Sequence, residues 1–496
     1  MKHLEVQGIA VLAGTLALAI SVNSAAQTAG GENLAPPAKR VRKQEEQQGQ
    51  AKLLGTILVR GRRLGSATGN RAQALKLKKE APNIVEVQPL SEIRKLPDVN
   101  VAEALQRLPG ISLETDSGEG RFINIRGLDA ALNGTTYGNV RLPASNPSSA
   151  FGQGRAVALD TVPPGMVGGL ILTETNRPDQ DAEALGGTVE LVPRTGEAHG
   201  GKFFAEATLG GGYKPLHNSP IYNGSVTLGG SFGLGDGIGG WFRGPNAFSA
   251  LLTASYYDEQ LPVDDLEEDY SDQQSAGVPD KLFADADLRH YNYQRRRYGI
   301  GATLTARGNA NNSFYLRFLV SGYTENKHTW HLGLDGLDSG CDTDVSPADC
   351  SAAVDPSNPN GFIAPDAQAS HELEDNRERI QTTLGELGGN SLLGGATLDY
   401  HVAYAKGEDR SPWAYDSSWV DPNAVNLAYN NIRDPRYPAF HPVDGTNLAD
   451  PANYTLDTIA KSNSFDSDRI LSKYPPAEPG ALWGEPLKGA VRACAA

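Results

Sequence analysis

Residues 96–114 read LPDVNVAEALQRLPGISLE, residues 121–129 read RFINIRGLD, and residues 182–195 read AEALGGTVELVPRT. The first stretch predicts a short apolar-periodic helix over residues 101–108, ended by Pro109-Gly110 and followed by a strand. Ser91 or Asp98 is positioned to cap that helix. The second stretch alternates as a strand and runs into Gly127. In the third, Gly186 and Gly187 precede a strand of β-branched residues. Helix, turn, strand, Arg-Gly corner, Gly-Gly and strand together predict a compact α/β unit over residues 82–200, with several backbone positions reserved for glycine.

Beyond Gly200 the texture changes to period-two alternation. Val226, Leu228, Gly230 and Phe232 alternate with Thr227, Gly229 and Ser231. Tyr298, Ile300, Ala302, Leu304 and Ala306 oppose Arg297, Thr303, Thr305 and Arg307. Phe314, Leu316, Phe318 and Val320 oppose Tyr315, Arg317 and Ser321. Further alternating stretches lie at 203–209, 248–256, 379–387 and 397–404. A soluble sandwich alternates too. Strand lengths of about ten residues, polar faces of Gly, Thr and charge, and short turns alternating with long connections favour a transmembrane β-barrel over residues 201–496. Gly308 to Asn312 is a tight turn, and Glu325 to Asp375 is expected to be one long loop. Tyr256, Tyr257, Tyr298, Tyr323, Tyr400, Tyr404 and Trp413 near strand ends suit interfacial belts.

The chain has 496 residues and a formal net charge of −15, which argues against a nucleic-acid partner. Hydrophobic content is 39% and glycine numbers 56, a composition that suits sheets with one wetted face. Residues 1–26 read as an export signal, with Lys2 and His3 before an apolar run from Ile9 to Val22 and small residues Ser24-Ala25-Ala26 before Gln27. Residues 27–81 form a polar leader. Within it Thr56, Ile57, Leu58 and Val59 are an isolated β-prone run. They suit either addition to the sheet edge of a partner or a first strand of the folded unit.

These residues resemble the TonB-dependent receptors of Gram-negative outer membranes. LPDVNVAEALQRLPGISL resembles the helix-turn-strand that opens the plug. RFINIRGLD is similar to the family's Phe-x-Ile-Arg-Gly-Phe motif, with Leu128 in place of the aromatic. VGGLILTETNRPDQDAEALGGTVELVPRT (residues 167–195) resembles the end of the plug, and TILVRG (residues 56–61, within the box-like segment 55–61) is similar to the TonB box. The resemblance implies an α/β plug inside an antiparallel transmembrane β-barrel and a chain placed in the outer membrane by its signal peptide. Its implied partners are the periplasmic domain of TonB, outer-membrane lipid and a small nutrient ligand, with carbohydrate favoured slightly over a ferric siderophore. The chain shows only seven or eight strand-like stretches and ends LKGAVRACAA, unlike a barrel strand, so an incomplete, C-terminally truncated barrel is expected. The alternative reading is a secreted or surface β-rich binding protein without transport, or a non-functional fragment.

The resemblance further implies that Arg126 and Gly127 lock the plug through carboxylates on the inner wall, beside Gly186 and Gly187. A local ion pair within the plug is the other reading for Arg126. Asn133, Thr135, Thr136, Tyr137, Asn146, Ser148 and Ser149 would lie on apices that touch substrate. Cys341 and Cys350 favour a loop disulfide in an oxidising compartment over a metal pair. The acidic runs Asp264, Asp265, Glu267, Glu268, Asp269 and Asp335, Asp338, Asp342, Asp344 read as solvated outer loops before calcium sites. No catalytic constellation, cofactor or metal site is expected, and the chain is not read as an enzyme.

Overall fold

The computed structural model describes residues 70–96, 98–116, 118–144, 154–175, 184–197, 202–215, 219–234, 241–271, 282–309, 311–342, 344–345, 347–358, 361–393, 396–430, 438–474 and 477–478. The chain divides into two units, Met1–Gly55 and Thr56–Ala496, and all described residues belong to the second.

The first part of that unit is α/β. Helix α1 (Arg71–Glu80) is capped by Asn70, whose side chain accepts from the Gln73 N–H at 3.0 Å. There follow β1 (Val85–Pro89), α2 (Leu90–Ile93), α3 (Val101–Leu105), β2 (Ile111–Asp116), β3 (Glu119–Ile125), β4 (Gly134–Tyr137), β5 (Val140–Arg141), β6 (Val167–Thr173) and β7 (Thr188–Pro193). Strands β2 and β3 form a hairpin, and the others a five-stranded sheet in the order β1-β6-β7-β4-β5, parallel only at β4–β7. Helix α3 is shorter than its periodicity predicts, and neither Ser91 nor Asp98 caps it. Asn100 does: its Oδ1 accepts from Glu103 N, and the Glu103 carboxylate accepts from Val99 N, both at 3.0 Å. Asp98 is instead taken by Arg107, whose Nη1 donates to it at 2.7 Å.

The second part is a wall of eight long strands: β8 (Phe204–Lys214), β9 (Ser219–Phe232), β10 (Phe248–Tyr270), β11 (Phe283–Arg307), β12 (Asn312–Asp335), β13 (Phe362–Leu393), β14 (Ala396–Val420) and, after the short β15 (Val425–Asn430) and β16 (Ala439–Pro442), β17 (Thr455–Tyr474). Each long strand pairs antiparallel with the next, and among the described residues β8 and β17 do not pair to close the sheet. Two expectations are corrected. The run Asp264 to Asp269 lies inside β10, not in a loop. Much of Glu325 to Asp375 is strand too, because β12 extends to Asp335 and β13 starts at Phe362. Their extensions carry few apolar residues because they stand beyond the apolar zone, where period two loses its contrast.

The wall's two faces differ as alternation requires. Leu319, Tyr323, Leu384, Ala403 and Ala405 point inward and are buried, and four of them share one core with Val101, Leu105, Ile125, Leu159 and Leu172 of the α/β part. The outward rows are apolar and exposed. One runs Leu228, Leu252, Ala302, Phe318, Gly385, Tyr404 across adjacent strands, and the next Ala250, Leu304, Leu316, Leu387, Val402. Leu387 is 62% exposed and Leu316 50%. From Phe248 to Tyr256 this zone measures about 26 Å along the strand at ~3.3 Å per residue, or roughly 20 Å in height at a strand tilt of about 40°. No helix among the described residues is long and apolar enough to cross a membrane.

Few residues separate β11 from β12 and β13 from β14 at one end. The long connections gather at the other end into a second core of Phe283, Leu337, Ala364, Leu427 and Tyr429. Cys341 and Cys350 are disulfide-bonded there, with Cα atoms 4.0 Å apart.

Candidate functional site

The α/β part is fastened to the wall by buried charge. Glu119 starts β3, on the hairpin's face toward the wall. Its Oε2 accepts from Arg295 Nη1 and from Arg297 Nη2, each at 2.7 Å. Arg295 also donates from Nε to Glu325 at 2.6 Å, and Arg297 from Nε to the Asp160 carbonyl at 2.6 Å. Both arginines are essentially inaccessible, 1% and 0% exposed. Buried guanidinium groups are tolerable only when paired this way. The Arg295 guanidinium also stacks 4.6 Å from the Tyr323 ring centroid. Arg121, two residues after Glu119 and thus on the same face, donates to Asp116 and lies 3.9 Å from Asp160. Burial pushes the Asp160 carboxyl above its usual range, against the pull of Arg121, Arg295 and Arg297. Burial pushes Glu119 the same way, but Arg297 above all, with the Glu259 carboxyl and Arg295, holds it well below the usual carboxylate range.

Three further contacts join the parts. Arg317 of β12 donates to Glu386 of β13 at 2.9 Å and to the Gly138 carbonyl at 3.2 Å. Gly138 has φ +62°, and a Cβ there would meet Arg317 Nη1 at 2.4 Å, so both conformation and contact require glycine. Arg194, just after β7, donates to Thr227 at 2.8 Å and to Glu206 at 2.9 Å. Met166 fills space that Gly299 and Gly301 leave open on β11.

The residues singled out in the sequence fall elsewhere. Arg126 is not buried and meets no wall carboxylate, and it forms no ion pair among the described residues. It sits at φ +54° on the exposed corner after β3, and its Nη2 donates to the Gly186 carbonyl at 2.8 Å. A left-handed residue followed by Gly127 at φ +74° ends the strand. Gly187 has φ +152°, and a Cβ there would lie 2.7 Å from the Thr173 carbonyl oxygen. Arg126, Gly127, Gly186 and Gly187 therefore stitch the α/β part to itself.

Asn133, Thr135, Thr136 and Tyr137 are not apex residues. Asn133 donates to the Ile123 carbonyl at 2.9 Å, Thr135 and Tyr137 are buried in β4, and Thr136 hydrogen-bonds Glu190. Their polarity serves strand pairing, not exposure. Glu190 also accepts from the Asn139 N–H at 3.1 Å, and burial pushes its carboxyl up to about 7. Thr56, Ile57, Leu58, Val59, Asn146, Ser148 and Ser149 lie outside the described residues.

Toward the long-connection end, the inner wall forms a cleft of about 290 Å³ lined by Glu267, Asp269, Asp285, Asp287, Asp335 and Glu372, with Arg289 as its cation. Arg289 is held by Glu267 and Asp287, both at 2.5 Å. Beside the cleft the Tyr291 and Tyr293 rings stack at 5.4 Å, with His331 edge-on to Tyr291 at 6.1 Å. The surface combines carboxylate acceptors with a half-buried ring, Tyr291, backed by the buried Tyr293, and carries net negative charge.

Sequence reasoning missed Glu119, Asp160 and Arg295. The run RRRYGIG (residues 295–301) held a signal: period two puts Arg295 and Arg297 on one face with Thr303, the inward face.

Residues 77–188 match the family model described as TonB-dependent Receptor Plug Domain. No curated protein matches the chain. Among solved structures it is similar to the unliganded ferric citrate transporter FecA, at 12% identity and TM-score 0.30, over 74% of this chain and 67% of that one. It is similar to the ferric enterobactin receptor PfeA of Pseudomonas aeruginosa in complex with BCV-L6, at 11% identity and TM-score 0.29, over 72% and 61%. It is also similar to a double mutant of the Serratia marcescens hemophore receptor HasR in complex with its hemophore HasA and heme, at 14% identity and TM-score 0.34, over 82% and 63%. The chain thus spans 61% to 67% of the length of these three.

Proposed function

Since residues 77–188 are a TonB-dependent receptor plug domain, we propose that the chain acts in the outer membrane as a receptor that takes up a scarce nutrient under energy supplied through TonB. The observation that carries this reading is the buried attachment of Glu119 to Arg295 and Arg297 across the plug and the inner wall. A plug held by charge, over a shared apolar core, stays seated until it is pulled. The pull would enter at Thr56 to Val59, pairing as a strand with the periplasmic part of TonB. The order of the chain is then signal segment 1–26, leader 27–81, plug 82–200 and barrel 201–496.

The ligand reading rests on the acidic cleft. Six carboxylates around one already paired arginine repel an anionic ferric chelate. Carboxylates that accept hydroxyl hydrogens, beside the stacked Tyr291 and Tyr293, suit a neutral carbohydrate. Uptake of labelled neutral oligosaccharides and of ferric chelates, by cells bearing the full chain or its Leu58→Pro variant, tests both points. Oligosaccharide uptake lost in the variant with binding retained is the expected result. Unchanged uptake in the variant removes the TonB-pairing role, and preference for an anionic chelate removes the ligand reading.

A further inference from the structure

The outward face of the wall carries a second, separate feature just above the apolar zone, on the side of the long connections. The row next to Tyr256 and Tyr298 runs Asp258 on β10, Arg296 on β11, Thr324 on β12, Arg379 on β13 and Arg410 on β14. Arg379 and Arg410 stand directly opposite each other in the antiparallel pairing, and Arg377 lies two residues from Arg379 on the same face, opposite Trp413. All three are exposed. Like charges directly opposite on neighbouring strands repel and weaken the pair.

Nothing in the wall offsets that repulsion. Arg379 donates only to neutral groups, the Tyr298 hydroxyl at 3.2 Å and the Gln381 side-chain oxygen at 2.5 Å. Among the described residues no carboxylate forms an ion pair with Arg377, Arg379 or Arg410. The nearby outward carboxylates are already engaged: Glu408 by Lys406 at 2.5 Å, Asp375 by His328 at 3.0 Å and Asp258 by Arg296 at 3.3 Å. The wall therefore presents three guanidinium groups at the edge of its lipid-facing zone with no protein anion to receive them.

We infer that Arg377, Arg379 and Arg410 bind the phosphate-bearing headgroup of a lipid in the leaflet that meets the long-connection end. The inference rests on reading the outward apolar rows as embedded in the bilayer. A phosphate oxygen set between opposed guanidinium forks accepts paired hydrogen bonds and cancels their repulsion. Its acyl chains would lie down the rows through Val320, Phe318 and Leu316, and Trp413 and Tyr298 stand at headgroup height, where aromatic rings favour the interface. A free phosphate would meet the same guanidinium groups without that apolar track, so the lipid binds more tightly.

The full chain in non-ionic micelles is titrated with dioleoylphosphatidic acid, with dioleoylglycerol and with inorganic phosphate, and bound lipid is counted by native mass spectrometry. Phosphatidic acid is expected to bind at least tenfold more tightly than either comparator. Each arginine near an anionic headgroup contributes about fivefold, so Arg379→Gln with Arg410→Gln lowers affinity for phosphatidic acid about 25-fold. Arg410→Glu keeps the fold, because it places a carboxylate opposite Arg379, and it abolishes the preference. Equal affinity for phosphatidic acid and dioleoylglycerol, an unchanged preference in these variants, or free phosphate binding as tightly as the lipid overturns the inference. Flotation of the chain with phosphatidylcholine vesicles tests the bilayer reading separately. A chain that does not float refutes that reading, whereas one that floats without phosphate preference refutes the headgroup site alone.

Discussion

Glu119→Gln removes the one carboxylate shared by Arg295 and Arg297 while keeping its volume. Arg295 retains Glu325 at 2.6 Å. Arg297 retains the Asp160 carbonyl, also at 2.6 Å, and the Tyr257 ring at 5.6 Å, and among the described residues it has no other ion-pair partner. A fully buried guanidinium left without its carboxylate costs roughly 3–5 kcal/mol. With ~2.1 cal/mol/K of unfolding entropy per residue over the roughly 350 described residues, ~4 kcal/mol lowers the thermal midpoint by about 5 °C. Near-ultraviolet circular dichroism of the full chain in non-ionic detergent follows that midpoint. A cycle with Arg297→Met separates the pair from its surroundings, because once the arginine is gone Glu119→Gln should cost much less. The expected coupling is about 2 kcal/mol or more. A shift under about 1 °C, or strictly additive effects, would refute the claim that this contact seats the plug.

Glu190 predicts a pH dependence. Its folded carboxyl titrates at about 7 against an ordinary 4.5, chiefly through burial, so the folded chain holds that proton more tightly than the unfolded one. The contribution is fully present below pH 4.5 and is lost as pH rises through 7, a difference of 7 − 4.5 = 2.5 pH units and roughly 3 kcal/mol. Thermal scans should show Glu190→Gln more stable than the parent chain above pH 7.5 and not below pH 4.5; a parent-like pH profile in the variant contradicts this. Gly187→Ala sets a Cβ 2.7 Å from the Thr173 carbonyl at φ +152°, and a loss of roughly 2 kcal/mol or more in chemical denaturation is expected. Cys341→Ser with Cys350→Ser opens a short ring within the connection between β12 and β13. Limited proteolysis should then nick that connection several-fold faster while the wall's midpoint holds, and an unchanged nicking rate counts against a local clamp.

Much of the architecture was legible because it rests on local rules. Period two gave the outward apolar rows of β9 to β12 and β14, and Pro109, Gly110, Gly186 and Gly187 marked turns that backbone sterics alone dictate. What stayed hidden depends on partners distant in sequence. Glu119 looks like an ordinary turn residue until β11, some 176 residues later, brings Arg295 to it. Arg126 looks like a buried lock because it ends a β-strand, but it sits exposed at a left-handed φ, invisible in the residue type. Thr135 and Tyr137 look like loop residues, yet a parallel pairing with β7 buries them. The opposed Arg379 and Arg410 are ordinary charges until the register sets them face to face.

The central claim, a plug that must move within the wall for transport, is tested most directly by a reversible tether. Met166→Cys and Ser255→Cys place thiols on plug and wall where the present side chains are 3.7 Å apart. Uptake and surface binding of a labelled neutral oligosaccharide are then measured in cells, oxidised and after reduction. Binding should be normal in both states, with uptake blocked when the tether is closed and restored on reduction. Equal uptake with the tether closed would rule out a plug that must move for transport.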